Sequence, residues 1–471
     1  MNKENVWKSY TAAQLDELER INADYRVCLD AGKTERECIR LTVQKLAAQG
    51  YRDISETEGP IKPGDKLYAV CMNKSIVIFQ MGRQPLENGM NILGAHIDSP
   101  RIDVKQNPLY ENEELAYLDT HYYGGIKKYQ WVTLPLAIHG VVVRKDGTTQ
   151  EIAIGEKEED PVFVITDLLV HLAGKQMEKK ANAVIEGEKL DLLFGSRPIE
   201  ETKDLDKEEK EAVKANTLAL LEKYYHMEEE DFLSAELEIV PAGRARECGI
   251  DRSMILSYGQ DDRVCAFTSL FAMLDTLEVD RTACCILVDK EEIGSEGTTG
   301  MQCKVYATGM HSRFFENVVA ELVALTSEPS ELKVRRALQN SKMLSSDVSA
   351  AYDPMYAEAF EKRSSAFFGK GLVFNKFTGS RGKSGSNDAN AEYLAQIRRV
   401  MEEGEVAFQF AELGKVDEGG GGTIAYIMAN YGMEVIDSGV AVLSMHAPWE
   451  VTSKADVYEA YKGYKAFLQI R

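Results

Sequence analysis

The chain contains 471 residues, about three times the ~150 residues of a typical domain, so two or three domains are expected. Hydrophobic residues make up 44% and charged residues 28%, which excludes a largely disordered chain. Asp and Glu number 76 against 55 Lys and Arg, and the net charge of −21 disfavours nucleic acid or an anionic membrane as a partner.

The sequence shows no signal for export or for membrane insertion. No apolar run follows the first charged residues, and none elsewhere reaches the ~18–20 residues of a membrane span. The eight cysteines are scattered without a Cys-x-x-Cys pair, which argues against both a thiolate zinc site and a disulfide framework. We therefore expect a cytoplasmic protein with reduced thiols.

Two helices are predicted at the start of the chain. Thr11-x-x-Gln14 and Thr34-x-x-Glu37 both have the form of a capping box, and apolar residues follow the first at helical spacing. Three short apolar runs then predict strands, and a polar turn between the first two predicts a hairpin.

The pattern changes after about residue 105. The next fifty residues contain strand-like runs and an Asp146-Gly147 turn, which predict antiparallel strands. After about residue 245, apolar helices and buried strands alternate, which predicts an α/β architecture with a mixed sheet and helices on both faces. We therefore expect an α/β domain formed by residues 1–105 and 245–471, with an inserted β-rich domain at residues 106–244.

Histidines and acids stand at the ends of strand-like runs, or just before a helix, in the α/β part. The residues at these positions are His96, Asp261, Asp262, Glu291, Glu292, Asp347 and His446. The carboxyl ends of strands in open α/β sheets are where ligand sites form. Burying so many carboxylates without cations would be very costly, so two divalent metal ions are predicted. Nitrogen and oxygen donors suit zinc, cobalt or manganese. A solvated acidic rim is the alternative.

The spacing within these motifs indicates separate roles. His96 and Asp98 are two residues apart, so on a strand they would face the same side, and Asp98 would accept the second ring N–H of His96. The consecutive Glu291 and Glu292 point in different directions. One can bind metal while the other acts as a general base beside a metal-bound water.

Five stretches together resemble the aminopeptidase I and aspartyl aminopeptidase family of dinuclear zinc exopeptidases. They are GAHIDSPR (94–101), GQDDR (259–263), DKEEIGS (289–295), SSDVSAA (345–351) and SMHAPWE (444–450). They occur in the family's order, and the resemblance extends over nearly the whole chain. It implies a zinc-exopeptidase-like catalytic domain with an inserted oligomerisation domain. It also implies a metal-dependent aminopeptidase that removes the N-terminal residue from short peptides.

The resemblance implies a role for each residue of the cluster. The ligands it implies are His96 and Asp347 for one metal ion, Glu292 and His446 for the other, and Asp261 as the bridge. Asp262 is the alternative to Asp261. Glu291 would be the general base for a metal-bridging water, and Asp98 would orient His96.

Two residues outside the cluster are further candidates by resemblance. His171, in DLLVHLAG, resembles the histidine of the inserted domain that reaches a neighbouring subunit's active site, where it would bind substrate and stabilise the oxyanion. A histidine on an amphipathic face is the alternative. Lys376 resembles a basic residue near the substrate pocket, with a surface lysine as the alternative. The resemblance also implies a closed homo-oligomer of twelve subunits.

Two departures from the family's aspartyl branch concern the N-terminal residue of the substrate. That branch has a Cys-Gly-Ser/Thr-type segment where this chain reads GGGGTIA (419–425), and an Arg-Glu pair where this chain reads Ala-Pro-Trp-Glu (447–450). Trp449 cannot replace an arginine charge that would read an acidic side chain. These departures leave two expectations open, a preference for an acidic N-terminal residue or a preference for a neutral or hydrophobic one.

Two other functions remain open on the sequence. A metal-dependent deacylase or carboxypeptidase could use the same metal core, and a non-catalytic assembly protein could use the same fold. The inserted segment favours the aminopeptidase over the first. Glu291 argues against the second, because only catalysis needs a free base at that position.

Overall fold

The computed structural model describes residues 4–199, 211–294, 308–379, 382–383 and 387–471. The chain divides into two compact units. The first contains residues 1–99, 245–445 and 450–471, and the second contains residues 100–244 and 446–449.

Helices and strands are both frequent along the described ranges. The α-helices there are α1 Ala12–Ala31, α2 Glu35–Ala48, α3 Gly174–Met177, α4 Ala212–Tyr225, α5 Gln260–Leu274, α6 Glu291–Gly294, α7 Phe314–Thr326, α8 Glu331–Gln339, α9 Ala391–Glu403, α10 Ala425–Ala429 and α11 Lys454–Leu468. The strands there are β1 Arg52–Asp53, β2 Lys66–Cys71, β3 Ser75–Gln80, β4 Met90–His96, β5 Arg101–Asn112, β6 Leu115–Tyr123, β7 Leu136–Val143, β8 Thr149–Ile154, β9 Leu192–Gly195, β10 Ala235–Pro241, β11 Arg246–Cys248, β12 Met254–Ser257, β13 Thr282–Val288, β14 Lys342–Ser346, β15 Ser349–Ala350, β16 Leu372–Asn375, β17 Phe408–Phe410, β18 Glu434–Gly439, β19 Ala441–Leu443 and β20 Glu450–Ser453. None of the helices in these ranges has the length and apolarity to cross a bilayer.

Both predicted capping boxes are present. The Thr11 side chain accepts the backbone N–H of Gln14, whose side chain accepts the N–H of Thr11, and α1 begins at the next residue. Thr34 and Glu37 make the same reciprocal pair before α2. Each box satisfies backbone donors that the first turn of a helix leaves without an intrahelical partner.

The first unit is built on a nine-stranded mixed sheet with the order β1-β2-β3-β13-β4-β14-β18-β16-β17. Alternate residues of its strands enter two different cores. In β13, Cys285 and Leu287 pack with α1, α5 and α11, whereas Cys284 and Ile286 pack with α7, α8 and α10. Successive strand side chains point to opposite faces, so a continuous apolar run is buried on both sides. The predicted mixed sheet with helices on both faces is thus confirmed.

A smaller sheet in the first unit has the order β11-β12-β20-β19-β15. It contains β19, the strand that precedes the histidine of SMHAPWE. That strand ends at Leu443, three residues before His446, and it is not part of the nine-stranded sheet. The same sheet contains β12, the strand that precedes Asp261, so two of the predicted ligands follow strands of this smaller sheet.

The second unit contains a six-stranded sheet with the order β8-β7-β10-β5-β6-β9. All of its strand pairs are antiparallel, as predicted for the β-rich part. Asp146 Oδ1 accepts the N–H of Thr148 in the turn that joins β7 to β8. Helix α4 contacts β5, β6 and β9. The charged run at residues 207–225 also favours a helix by its sequence, and residues 207–210 of that run lie outside the described ones.

Candidate metal centre

Three neighbouring strands of the nine-stranded sheet end at the same edge. β13, β4 and β14 are adjacent and parallel, so their carboxyl ends lie side by side. His96 is the last residue of β4, and Asp347 follows β14 directly. Glu291 and Glu292 open α6, which two residues separate from the end of β13. Sequence-distant side chains thereby meet because the sheet topology brings their strand ends together.

The imidazole of His96 lies at the centre of the cluster. Its Nε2 is 3.4 Å from Oδ1 of Asp261, 3.8 Å from Oε2 of Glu291 and 3.8 Å from Oδ1 of Asp347. Two groups of ligand atoms lie mutually within 4.8 Å. One is formed by His96, Glu291 and Asp347, and the other by His96, Asp261 and Glu292. Five of the predicted site residues are therefore brought together.

The orientation of His96 is set from its other ring nitrogen. Nδ1 is 2.9 Å from the backbone oxygen of Asp98 and 3.3 Å from its carboxylate Oδ1. Both are acceptors, so Nδ1 carries a proton and Nε2 faces the carboxylates of the cluster. The geometric reason differs from the one predicted, because β4 ends at His96 and Asp98 reaches the ring from the following loop.

The same aspartate also holds the backbone of the two glutamates. Asp98 is fully buried, and its Oδ1 and Oδ2 accept the N–H groups of Glu291 (3.2 Å) and Glu292 (3.1 Å). These are the first N–H groups of α6, which have no intrahelical acceptor. One carboxylate thus connects the imidazole to the segment that carries both glutamates.

The two aspartates before α5 occupy different environments. Asp261 faces His96 and belongs to one ligand group, whereas Asp262 belongs to neither of the groups found among the described residues. Burial raises the pKa of the Asp262 carboxyl well above its ordinary value. Of the two alternatives left by the sequence, Asp261 is the one that lies at the cluster.

The electrostatics of the cluster fit a divalent cation. Burial lowers the pKa of His96, but the carboxylates of Asp261, Asp347 and Asp98 outweigh that effect and raise it well above the usual value. Two carboxylates 4 Å apart repel each other by about 4 kcal/mol at an effective dielectric constant of 20. A cation between them would replace that repulsion with attraction. One imidazole nitrogen and several carboxylate oxygens are donors that zinc accepts, as cobalt and manganese do.

Three other predicted residues belong to neither of the ligand groups found in the described part of the chain. His446 comes three residues after β19 and belongs to the second unit. Its Nδ1 is 2.9 Å from the backbone oxygen of Gly125 in the same unit. His171 is exposed in the second unit, on an irregular segment before α3. Lys376 follows β16, is 44% exposed and forms an ion pair with Asp388.

Sequence reasoning missed a glycine that the site requires. A Cβ atom on Gly439 would lie 1.8 Å from the backbone oxygen of Asp347, so only glycine allows this approach. The N–H of Asp347 donates to the oxygen of Ser438 in the same contact (2.8 Å). A glycine at the end of an apolar strand is a recognisable signal of close backbone approach. The sequence does not tell which segment approaches.

Comparison with known proteins identifies relatives along the whole chain. The model of the aminopeptidase I zinc metalloprotease (M18) family matches residues 28–468. A probable M18 family aminopeptidase 1 from Clostridium acetobutylicum is 57% identical over 98% of this chain and 97% of its own. The corresponding protein from Thermotoga maritima is 42% identical over 100% of this chain and 99% of its own.

Solved structures show the same fold. The M18 aminopeptidase from Thermotoga maritima has a TM-score of 0.92 at 42% identity, covering 100% of this chain and 99% of its own. Aminopeptidase I from Clostridium acetobutylicum has a TM-score of 0.89 at 54% identity, covering 100% of both chains. The mApe1 dodecamer of S. cerevesiae shares the fold at 19% identity, with a TM-score of 0.74 over 96% of this chain and 97% of its own.

Proposed function

The chain belongs to the M18 family of zinc aminopeptidases, and we propose that it removes the N-terminal residue from short peptides with Glu291 as the general base. The observation that carries this proposal is the convergence of two groups of ligand atoms that share His96, one with Glu291 and Asp347 and the other with Asp261 and Glu292. That arrangement combines metal ligands with an additional carboxylate.

We assign two divalent cations to the site, most simply zinc. The assigned ligands are His96 and Asp347 for one, Glu292 and His446 for the other, and Asp261 shared between them. Support for His446 comes from its sequence motif alone. When bound, the cations polarise the scissile carbonyl and make water a stronger acid. Asp98 holds the tautomer of His96 that leaves Nε2 available.

Glu291 is assigned the proton transfers. Its side chain is 8% exposed, and its Oε2 lies 3.8 Å from Nε2 of His96. In this mechanism the carboxylate takes a proton from the attacking water, whose oxygen bonds to the scissile carbonyl carbon. The carbon–nitrogen bond then breaks, and Glu291 passes the proton to the departing amine. Asp98 positions the base through its contact with the Glu291 N–H.

The substrate-binding role of Lys376 is a proposal that bears on specificity. Its Nζ is paired with Asp388, and this contact is the main cause that lowers the pKa of the Asp388 carboxyl. An acidic substrate residue would compete with Asp388 for the lysine. We therefore expect a neutral N-terminal residue to be preferred over an acidic one. Peptides that differ only in their first residue, assayed with zinc, cobalt and manganese in turn, measure this preference.

We also propose that the inserted domain mediates self-association into a dodecamer, the assembly described for the yeast protein of the same fold. The segment around His171 supports an interface, because four neighbouring apolar side chains are exposed. They are Leu168 (46%), Leu169 (54%), Val170 (78%) and Leu172 (68%). A contiguous apolar patch of this kind marks a protein contact. In the assembly, His171 would stabilise the oxyanion in a neighbouring subunit. Light scattering that found a monomer at micromolar concentration would refute both statements.

Glu291→Gln tests the catalytic assignment. The variant should fold and bind the same number of cations, while turnover of an aminoacyl anilide falls by about 10²- to 10⁴-fold. An N-acetylated version of the same anilide should resist the wild-type enzyme, which distinguishes an aminopeptidase from a deacylase. Turnover of Glu291→Gln at the wild-type rate would disprove the role of Glu291.

A further inference from the structure

Both backbone polar groups of Asp261, its N–H and its carbonyl oxygen, are held by buried side chains from distant parts of the chain. Its N–H donates to Oε2 of Glu450 (3.0 Å), and its backbone oxygen accepts from Oγ of Ser99 (2.6 Å). Glu450 is 1% exposed and Ser99 is fully buried. Both backbone groups of Asp261 are thereby satisfied by buried protein side chains.

Glu450 is itself fixed by a hydrogen-bond network. It is the first residue of β20 and lies opposite Ser257 of β12. The side-chain N–H of Gln260 donates to the backbone oxygen of Glu450 (2.7 Å). The side-chain oxygen of Gln260 accepts from the hydroxyl groups of Thr452 (2.6 Å) and Tyr25 (3.2 Å). The carboxylate therefore approaches Asp261 from a backbone that has little freedom to move.

The position of Asp261 in the chain explains why its N–H needs such an acceptor. Its φ of −81° and ψ of 108° differ from helical values, although it lies in the first turn of α5. An N–H at the start of a helix has no intrahelical acceptor, and leaving it buried without a partner would be destabilising. A carboxylate is a strong acceptor at this position.

We propose that Glu450 is a positioning residue that aims the Asp261 carboxylate at the metal centre. The inference rests on the ligand role assigned to Asp261 in the proposed function. The side chain of Asp261 starts from the atom between the two groups that Glu450 and Ser99 hold. Fixing both groups therefore limits rotation of the peptide planes on either side and keeps Oδ1 directed toward His96. Partners that orient metal ligands in this way contribute substantially to metal affinity.

Metal affinity distinguishes a positioning role of Glu450 from a purely structural one. Both roles predict that Glu450→Ala lowers stability, but only the second predicts weaker metal binding by the folded protein. Glu459 offers a matched control, because it is also 1% exposed and its Oε2 accepts a backbone N–H, that of Ala407 (2.7 Å). It lies in α11 and belongs to neither ligand group.

The experiment compares Glu450→Ala, Glu450→Gln and Glu459→Ala in the full chain. Cobalt affinity is measured by absorption titration of folded protein, alongside kcat, KM and thermal unfolding. We expect Glu450→Ala to weaken cobalt binding by about 10- to 100-fold and to lower kcat more than it changes KM. Glu450→Gln keeps an acceptor oxygen and should recover most of the affinity. Glu459→Ala should lose stability with unchanged cobalt affinity.

Two results would overturn the proposal. The first is wild-type cobalt affinity in folded Glu450→Ala, whether or not its stability falls as that of Glu459→Ala does. The second is wild-type affinity in Asp261→Asn, which would remove the ligand role itself and so identify the proposed function as the failing premise. If Glu450→Ala yields no folded protein, Ser99→Ala replaces it, since it removes only a hydroxyl. Weaker cobalt binding is then expected, and an unchanged affinity overturns the proposal.

Discussion

Replacing Asp98 by asparagine tests the electrostatic design of the site most directly. The carboxylate accepts from three donors, namely the N–H groups of Glu291 and Glu292 and, at 3.3 Å, Nδ1 of His96. Asparagine has nearly the same shape but only one acceptor oxygen. In either orientation its amide NH₂ must face at least one of these donors. The substitution therefore converts at least one hydrogen bond into a contact between two donors.

The magnitude follows from the kind of hydrogen bond that is lost. A bond to a buried charged group contributes about 1.5–3 kcal/mol. At 1.36 kcal/mol for each factor of ten, this corresponds to about 10- to 150-fold. The affected donors belong to His96 and to the segment that carries Glu291 and Glu292. We therefore expect zinc affinity and kcat to fall by this factor. The KM for an aminoacyl anilide should change less.

Zinc affinity by competition with a chelator, kcat and KM on the anilide, and unfolding by denaturant together measure the effect. Glu459→Gln is the control, because it makes the same carboxylate-to-amide change at a buried acid that accepts both a backbone N–H and the Tyr10 hydroxyl. It should change stability alone. Asp98→Asn could instead behave like the control, with lower stability but the zinc affinity and kcat of the wild type. The proposed link from Asp98 to the metal ligands would then be wrong.

Three further outcomes are expected. Removing divalent cations with a chelator should abolish peptidase activity, and zinc, cobalt or manganese should restore it; activity that persisted in metal-free protein would refute the metal mechanism. Gly439→Ala should lower bound zinc in protein that remains folded by circular dichroism, because the new Cβ would displace the backbone of Asp347; unchanged zinc content would contradict this reasoning. Burial raises the pKa of Asp456 from 3.8 to about 7, so its contribution to folding is fully present below pH 4 and is lost as the pH rises through 7. Asp456→Asn should therefore flatten the decline in unfolding free energy between pH 4 and 7, and parallel profiles of variant and wild type would show that Asp456 does not titrate there.

Local features of the fold could be predicted because their causes lie close together in sequence. The capping boxes at Thr11 and Thr34 depend on residues three positions apart, and both form as expected. The apolar runs that became β3, β4 and β13 indicate strands buried on two faces. The strand before His446 shows the limit of such signals. Its pattern resembles that of the others, yet β19 pairs with β15 and β20 in the smaller sheet.

The cluster itself followed from a general rule combined with motif order. Residues at the carboxyl ends of parallel strands meet when those strands are neighbours, and β13, β4 and β14 are neighbours in this sheet. The rule does not choose between adjacent acids. Asp261 rather than Asp262 faces His96 because of the backbone conformation at the start of α5, which no spacing argument predicts.

The sequence by itself determined the chemical inventory of the site and the elements that carry it, since residue type, short-range spacing and periodicity are local properties. Only the tertiary structure decided which backbone groups needed partners and which side chains could reach them. Glu450 is separated from Asp261 by 189 positions, and Ser99 by 162. Such pairings arise because buried N–H and carbonyl groups must be satisfied wherever packing places them, and that requirement leaves no periodic trace in the chain.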